Sequence, residues 1–337
     1  MSATLRVSVV GAGAWGTALA KVLAEKGTDV RLWSYEDHVA DAINERSENP
    51  YLEGVTLPAT LHATSDLASA LDGAELVVSV SPSQVVRSVM GAAKPHVGPD
   101  ALVVSASKGI ELGTHRRMDE VIREALGEGI EERFAVLSGP SFASEVASGQ
   151  PTAVVAASHV EETRQRVQEA FQTPWFRVYT NPDVVGVELG GALKNVVALA
   201  SGMTAGLGYA HNTTAALITR GLAEMARLGV AMGAHQATFY GLAGMGDLVL
   251  TCTGGLSRNR TVGFRLGRGE SLEAILGDMT AVAEGVETTR AVHELALEHG
   301  VEMPIVEQVY AIVEHGRTPA EALQALMLRD PKPEEWS

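Results

Sequence analysis

The sequence predicts an α/β protein in which a doubly wound, mainly parallel sheet domain is followed by an all-α domain. Short β-branched runs alternate with helix-like segments in the first half of the chain, as in a sheet covered by helices on both faces. A glycine-rich turn follows the first of these runs. Beyond residue 182 the β-branched runs stop, and Ala, Leu, Glu and Gly recur with the 3.6-residue period of a helix.

Six runs in the first half are predicted strands. Most of them are apolar throughout rather than alternating, as expected for strands buried on both faces of a parallel sheet. They span residues 6–10, 29–33, 74–80, 101–107, 134–139 and 152–158. The helix-like segments between them span residues 15–26, 83–93, 115–126 and 161–171.

The second half is predicted to be helical. Its periodic segments span residues 184–206, 212–232, 257–268, 284–299, 304–315 and 319–328. An Asn-Pro turn within residues 180–186 is the best break between the two halves. We therefore expect a first domain over residues 1–182 and a second domain over residues 183–337.

Composition and charge argue against several classes of function. The 337 residues have an ordinary globular composition, and their net charge of -15 disfavours non-specific binding to nucleic acid or insertion at an anionic membrane. Cys252 is the single cysteine, which excludes an intrachain disulfide and predicts a small buried hydrophobe. His211 and His235 lack metal-like spacing, so no metal is expected. Neither the N-terminus nor residues 196–210 suits a signal peptide or a membrane span, which predicts a cytoplasmic protein.

The glycine-rich turn predicts a dinucleotide site. Gly11, Gly13 and Gly16 stand in G-x-G-x-x-G spacing between a predicted strand and a predicted helix, and a second strand follows within about thirty residues. Gly11 permits a tight turn, Gly13 lets a pyrophosphate approach the backbone, and Gly16 allows the helix to pack on the strand. The first domain is therefore predicted to be a Rossmann NAD(P)-binding domain.

The residue after the second strand bears on the choice of cofactor. An acid usually ends this strand and binds the ribose hydroxyls of NAD, but Ser34 stands in that place. A serine removes the negative charge that would repel the 2′-phosphate of NADP. No arginine follows to bind that phosphate, however, and Glu36 or Asp37 could turn inward. The sequence thus favours NADP slightly and leaves NAD open.

Two further loops follow predicted strands, at the edge where ligands bind in open α/β sheets. Lys108 ends one strand and could contact the nicotinamide or a substrate oxygen, or it could be an ordinary solvated lysine. Gly139, Pro140 and Ser141 follow another strand and could contact substrate or cap the next helix.

Lys194 is the main catalytic candidate in the second half. It lies in the apolar, small-residue segment "GGALKNVVALASG", residues 190–202, where a lysine needs a partner or a use. Lys194 could be a general acid or base, or its amine could extend to water. Gly190 and Gly191 each cost about 1 kcal/mol inside a helix. We therefore expect a cofactor or substrate to approach the backbone there.

A candidate anion site is predicted in residues 241–263, interpreted as a glycine-rich loop. The segment contains Asp247, and Ser257, Arg258 and Asn259 stand at a predicted helix start. Amides, a guanidinium and side-chain donors could bind an anion there, with an exposed loop and a solvated arginine as the alternative. These parts together predict an oxidoreductase that acts on a small anionic alcohol or ketone.

Seven motifs, spread over both halves, carry a resemblance to a known family. They are "GAGAWGTALA", "SKGIE", "GPSFA", "GGALKNVVALASG", "HNTTAALITRG", "GLAGMGDLVLTC" and "SRNRTVG". The chain resembles bacterial-type NAD(P)-dependent glycerol-3-phosphate dehydrogenases. The resemblance implies a Rossmann domain and a helical domain like that of 6-phosphogluconate dehydrogenase. It also implies interconversion of sn-glycerol 3-phosphate and dihydroxyacetone phosphate, a supply role in phospholipid synthesis, and a homodimer.

The resemblance also implies roles for individual residues, with Lys194 as the proton-transfer group. Substrate contacts are implied for Lys108, Gly139, Ser141, Lys194, Asp247, Ser257, Arg258 and Asn259. Cofactor contacts are implied for Gly11, Gly13, Ala14, Trp15, Gly16, Tyr35, Tyr51, Lys108, Ala143, Arg258, Val282 and Glu284. Tyr35 and Tyr51 match by position rather than by residue identity. Ala14 and Ala205 depart from the family pattern, since they stand where many members have a serine and an acid.

Two other functions stay open on the residues alone. A dehydrogenase of the β-hydroxyacid or ketopantoate type would bind the same cofactor but hold a carboxylate, whereas the Ser-Arg-Asn segment favours a phosphate. A catalytically silent NAD(P) sensor would need neither Lys194 in a tight helix nor Lys108 at a strand end.

Overall fold

The computed structural model describes residues 4–279 and 283–334. The chain folds into two compact units. The first comprises Met1–Lys108 and Met118–Val184, and the second comprises Gly109–Arg117 and Val185–Ser337. The short segment 109–117 therefore belongs to the second unit although it lies within the first half of the sequence.

The first unit is built on an eight-stranded sheet. Its strands are β1 (Arg6–Val10), β2 (Asp29–Trp33), β3 (His62–Thr64), β4 (Leu76–Ser79), β5 (Leu102–Ser105), β6 (Phe134–Ser138), β7 (Thr152–Ala157) and β8 (Phe176–Asn181). They lie in the order β3-β2-β1-β4-β5-β6-β7-β8. All neighbouring strands are parallel except β6 and β7, which pair antiparallel. The predicted doubly wound fold is confirmed, with one antiparallel pair that the apolar runs did not reveal.

Helices connect and cover these strands. They are α1 (Ala14–Glu25), α2 (Asp37–Arg46), α3 (Leu67–Leu71), α4 (Val86–Ala93), α5 (Met118–Leu126), α6 (Ala143–Ala147) and α7 (Glu161–Phe171). Short 3-10 turns lie at Ser83–Val85, Lys94–His96 and Glu131–Arg133. The sequence did not predict α2 or α3, the short helix expected after Ser141 is α6, and α5 begins at Met118 rather than at residue 115.

An apolar core joins one face of the sheet to α1, α2 and α7. Val9, Leu19, Leu32, Ile43 and Phe171 are each at most 2% exposed within it. Burial of apolar side chains is the main favourable contribution to folding. It fixes β1 and α1 against each other, and with them the turn that joins the two elements.

The second unit is mainly helical in its described residues. Its helices are α8 (Val184–Gly206), α9 (His211–Ala231), α10 (Gln236–Phe239), α11 (Asp247–Thr253), α12 (Arg258–Gly267), α13 (Leu272–Gly277), α14 (Glu284–Glu298), α15 (Pro304–His315) and α16 (Pro319–Met327). A π-helical turn at Leu242–Gly246 leads directly into α11. Residues 241–263 are thus mostly helical, and the prediction of a loop there is wrong. Glycines lowered the local helix signal, but Gly244 and Gly263 pack against neighbouring backbone.

Helix α8 crosses α12 at glycines. A Cβ atom on Gly202 would lie 2.1 Å from the carbonyl oxygen of Arg260, and one on Gly263 would lie 2.0 Å from that of Leu199. Real Cβ atoms do not approach backbone so closely, so only glycine allows this crossing. By length and composition α8 could cross a membrane, but 94% of its most apolar window is buried, as in the core helix of a globular unit.

Apolar and polar contacts anchor the segment 109–117 in the second unit. Ile110 is fully buried in that unit's core. The His115 ring Nε2 and the Glu294 carboxylate lie 2.6 Å apart, and Arg117 Nε lies 3.6 Å from the carboxylate of Glu188.

Candidate active site

The three motif glycines meet three different environments. Gly11 has φ +126°, and a Cβ there would lie 2.8 Å from the carbonyl oxygen of Val80. A Cβ on Gly16 would lie 1.9 Å from the Gly11 carbonyl oxygen, whereas one on Gly13 would meet nothing within 4 Å. Gly11 and Gly16 therefore allow the turn and the close packing of α1, and Gly13 leaves the open space that a pyrophosphate would need.

Helix α1 begins directly behind this turn. Gly13 is its N-cap, and the amide of Thr17 donates to the Gly13 carbonyl at 3.0 Å. The amides before Thr17 are the ones a helix leaves without an internal partner, and they attract anions. Ala14 and Trp15 lie in this first turn and are partly buried. The residues present thus fit a dinucleotide.

Ser34 directly follows β2 and is 1% exposed. Its Oγ accepts from the amide of Glu36 at 3.2 Å and donates to the Glu36 carbonyl at 3.0 Å. The Tyr51 hydroxyl donates to Glu36 Oε1 at 2.6 Å, and this hydrogen bond raises the pKa of Tyr51 above its usual value. Tyr35 is 84% exposed, beside the predicted ribose position.

Lys108 lies close to the Gly139 loop within the first unit. Lys108 Nζ donates to the Gly139 carbonyl at 3.1 Å, and the Ser141 hydroxyl donates to the same carbonyl at 2.9 Å. Gly139 has φ +136°, and a Cβ there would lie 3.0 Å from the Val154 Cα, so the turn requires glycine. Ala143 begins α6 just beyond. Lys108 is partly buried and hydrogen-bonded rather than freely solvated.

Lys194 lies on α8 and is 7% exposed. Its Nζ lies 2.9 Å from Asp247 Oδ1 and donates to Thr251 Oγ1 at 2.9 Å. The Thr251 hydroxyl also lies 2.6 Å from the carbonyl and 3.2 Å from the carboxylate of Asp247. Asp247 and Thr251 stand four residues apart on α11, so one helical turn presents both to the lysine. The lysine is buried with partners, not extended to water.

Gly190 explains how α11 comes so close to Lys194. A Cβ on Gly190 would lie 2.6 Å from the carbonyl oxygen of Ala243, in the π-helical turn before α11. The expectation that cofactor or substrate approaches the helix backbone at Gly190 is therefore wrong, because protein backbone already lies there. The glycine instead lets the π-helical turn pack on α8 one helical turn before Lys194.

The Ser-Arg-Asn segment begins α12. Ser257 is its N-cap, with Oγ accepting from the Arg260 amide at 3.2 Å. Arg258 is exposed in the first turn, while Asn259 is 8% exposed and its Oδ1 accepts from the Gly285 amide at 3.0 Å.

The remaining predicted positions lie near α14. Glu284 is the first residue of α14 and is partly buried, next to Gly285. Val282 lies outside the described residues. Cys252 is buried on α11, and burial raises the pKa of its thiol to about 12, so it is an inert core residue as predicted.

Most of the predicted site residues lie close to other predicted site residues of the same unit. In the first unit these groups are the glycine turn and the Lys108–Gly139–Ser141 cluster. In the second unit they are the Lys194–Asp247 pair and the start of α12. Sequence reasoning missed Thr251 and Asn49, whose Nδ2 donates to the Ala12 carbonyl at 2.9 Å.

These features define a class. A Rossmann unit with a glycine turn that fits a pyrophosphate and a helical unit with a buried lysine–aspartate pair are the parts of a two-domain nicotinamide-dependent oxidoreductase.

Comparison with known proteins specifies the family. Models of the N-terminus and C-terminus of NAD-dependent glycerol-3-phosphate dehydrogenase match residues 6–164 and 183–324. A glycerol-3-phosphate dehydrogenase (NAD(P)+) from Geobacter metallireducens is 56% identical over 330 residues, 98% of either chain. The solved glycerol-3-phosphate dehydrogenase of Coxiella burnetii covers 97% of this chain and 99% of its own, with TM-score 0.92 and 42% identity. That of Saccharomyces cerevisiae covers 95% and 99%, with TM-score 0.81 and 31% identity.

The chain belongs to the NAD-dependent glycerol-3-phosphate dehydrogenase family. The family resemblance and the fold class inferred from the motifs are confirmed.

Proposed function

We propose that the chain interconverts sn-glycerol 3-phosphate and dihydroxyacetone phosphate with NAD(P)H or NAD(P)+. The observation that carries this proposal is the buried Lys194 amine, held 2.9 Å from both Asp247 Oδ1 and Thr251 Oγ1. Lysine is rarely buried unless it is paired or takes part in function. Membership of the dehydrogenase family supports proton transfer as the function of Lys194. Turnover of dihydroxyacetone phosphate would distinguish this function from that of a dehydrogenase that binds a carboxylate substrate. Any turnover at all would distinguish it from that of a silent NAD(P) sensor.

Lys194 is the general acid and base of the proposed reaction. A nicotinamide cofactor, when bound, would supply or accept the hydride at C2. In reduction, the Lys194 ammonium donates its proton to the C2 oxygen and stabilises the developing alkoxide. In oxidation, neutral Lys194 takes the C2 hydroxyl proton. Asp247 supplies the counter-charge in the buried setting, and Thr251 orients the amine.

The proposed substrate and cofactor contacts come from residues of both units. Arg258, Asn259 and the amides near Ser257 hold the phosphate, because a guanidinium and a helix start both favour an anion. Lys108, Gly139 and Ser141 also contact substrate. The cofactor contacts proposed are Gly11, Gly13, Ala14, Trp15, Gly16, Tyr35, Tyr51, Lys108, Ala143, Arg258, Val282 and Glu284.

The biological setting is also a proposal. Ser34, rather than a carboxylate, directly follows β2, which favours NADP slightly over NAD. We propose a cytoplasmic homodimer, with domains divided near residue 182, that supplies glycerol 3-phosphate for phospholipid synthesis.

The first experiment measures oxidation of NADPH and NADH by the purified protein with dihydroxyacetone phosphate. We expect Lys194→Ala to lower kcat by at least about 100-fold, because positioned acid–base catalysis contributes that much. Lys94→Ala, at an exposed position, is the control and should leave kcat unchanged.

Cofactor affinity and thermal melting separate loss of chemistry from loss of fold. If Lys194→Ala melts and binds NADPH like the parent but keeps most of its kcat, the role of Lys194 is wrong. If the parent reduces a keto acid but not dihydroxyacetone phosphate, the substrate is wrong.

A further inference from the structure

Asn49 lies in the turn after α2 and is 2% exposed. Its Nδ2 donates to the carbonyl oxygen of Ala12 at 2.9 Å and to the hydroxyl of Thr17 at 2.7 Å. The Thr17 hydroxyl donates in turn to the Ala12 carbonyl at 3.4 Å, and Thr17 is fully buried. A closed set of hydrogen bonds therefore joins Asn49 to the middle residue of the Gly11–Gly13 turn and to the first turn of α1.

These bonds fix the part of the loop that does not face the ligand. With the Ala12 carbonyl and the Thr17 side chain held by Asn49, the open space at Gly13 and the first amides of α1 are set before any ligand arrives. Buried amide groups that lose their partners are costly, so this arrangement strongly favours one loop conformation.

The carbonyl side of the same amide reaches a second part of the site. Asn49 Oδ1 accepts from the amide of Tyr51 at 2.8 Å, and the Tyr51 hydroxyl donates to Glu36 Oε1 at 2.6 Å. Glu36 is the N-cap of α2, two residues beyond Ser34. One side chain thus links the glycine turn to the turn after β2, the two places where a dinucleotide contacts this fold.

We infer that Asn49 is a positioning residue for the dinucleotide site, which holds the glycine turn and Tyr51 in their binding geometry. The inference rests on the proposed function, because it takes the bound ligand to be NAD(P)H. Without Asn49 the turn must be ordered when the cofactor binds, and that ordering weakens affinity. The proton-transfer step uses Lys194, so kcat at saturating cofactor is unaffected.

The test compares Asn49→Ala with Asn44→Ala in the full chain. Asn44 is a matched control in the same unit, because its side chain also bonds backbone, donating to the Ala63 carbonyl at 2.8 Å and accepting from the Ala63 amide at 2.9 Å. Kd values for NADPH and NADH are measured by fluorescence titration, followed by KM and kcat. We expect Asn49→Ala to raise Kd and KM for the cofactor about tenfold, or about 1.4 kcal/mol, with kcat and the substrate KM within about twofold. Asn44→Ala should leave all of them within about twofold.

Thr17→Val is the second variant, because valine keeps the shape of threonine but cannot bond Asn49. We expect a rise in cofactor Kd of about threefold, and less than the product of both effects in the double variant, since the two residues act through one contact.

The results of these measurements distinguish failure of the Asn49 inference from failure of the proposed function. If the parent binds neither NADPH nor NADH, the proposed function fails and the inference with it. If the parent binds and Asn49→Ala binds equally well, or Asn44→Ala loses as much, only the inference is overturned. A full product of effects in the Thr17→Val double variant also overturns it.

Discussion

Glu224 is a buried carboxyl group outside the candidate site. It lies on α9, 4% exposed, and its oxygens accept hydrogen bonds from the amides of Ile305 and Val306 at the start of α15. Burial raises its pKa to about 7, although these amides and nearby Arg227 favour the charged form. Desolvation therefore exceeds the local favourable interactions, as for most carboxyls removed from water.

This carboxyl makes stability depend on pH in a defined window. Between its ordinary pKa of 4.5 and about 7 the folded chain keeps a proton that the unfolded chain releases. The contribution of Glu224 to the free energy of unfolding is therefore fully present below about pH 4.5 and is lost as the pH rises to about 7. This contribution is on the order of 3 kcal/mol. Glu224→Gln keeps an acceptor for the α15 amides and removes this dependence.

Urea denaturation of both proteins from pH 5 to pH 8 checks this expectation. The free energy of unfolding of the parent should fall relative to Glu224→Gln as the pH rises. Parallel pH profiles would show that the carboxyl does not titrate as described.

Single residues differ in how much their sequence context reveals. Lys194 was identifiable because a charge within an apolar segment is anomalous. Asn49 was not, because an Asn-Pro turn is ordinary, and its importance depends on Ala12 and Thr17, 37 and 32 positions away. Thr251 was missed for a related reason: its spacing from Asp247 has meaning only on a helix, and the glycines before it indicated a loop.

Helices α8 and α12 lie close because both contribute glycines at their crossing. We expect Gly263→Ala to destabilise the chain by at least about 2 kcal/mol, because the added Cβ would lie 2.0 Å from the Leu199 carbonyl oxygen and the helices would have to separate. Chemical denaturation measures the change.

Gly277→Ala is the matched control within the same unit. Gly277 ends α13 and is exposed, and a Cβ there would meet nothing within 4 Å. Alanine should be neutral or stabilise by up to about 1 kcal/mol there, through its better helix propensity. Equal losses in both variants would contradict the close crossing.

Elements were predictable where one period dominates the segment. Strand β1 and helices α7, α8 and α15 begin and end where the sequence predicted them. Strand β8 was missed because its buried and exposed residues alternate and it lies at the sheet edge, unlike the continuous apolar runs of the interior. The antiparallel pairing of β6 and β7 leaves no mark in composition, because both strands are apolar.

The division into two units places segment 109–117 with the later half of the chain. We expect Ile110→Ala to destabilise the second unit by about 2–5 kcal/mol, because it leaves a cavity at a fully buried position. Hydrogen exchange should therefore accelerate most in α8, α9 and α14.

Ile122→Ala supplies the matched comparison. Ile122 is equally buried, but it lies on α5 of the first unit, so faster exchange should appear mainly in that unit's sheet. If both variants accelerate exchange equally throughout the chain, the assignment of segment 109–117 to the second unit is wrong.

The anchoring of this segment has a consequence for the order of events during synthesis. Ile110 leaves the ribosome well before α8, and His115 precedes its partner Glu294 by 179 residues. Residues 109–117 must therefore wait for Glu188 on α8 and Glu294 on α14 while β6, β7 and β8 are being made. Contacts of such long sequence separation form slowly, so the second unit completes its core only after α14 has been made and contacts a segment translated much earlier.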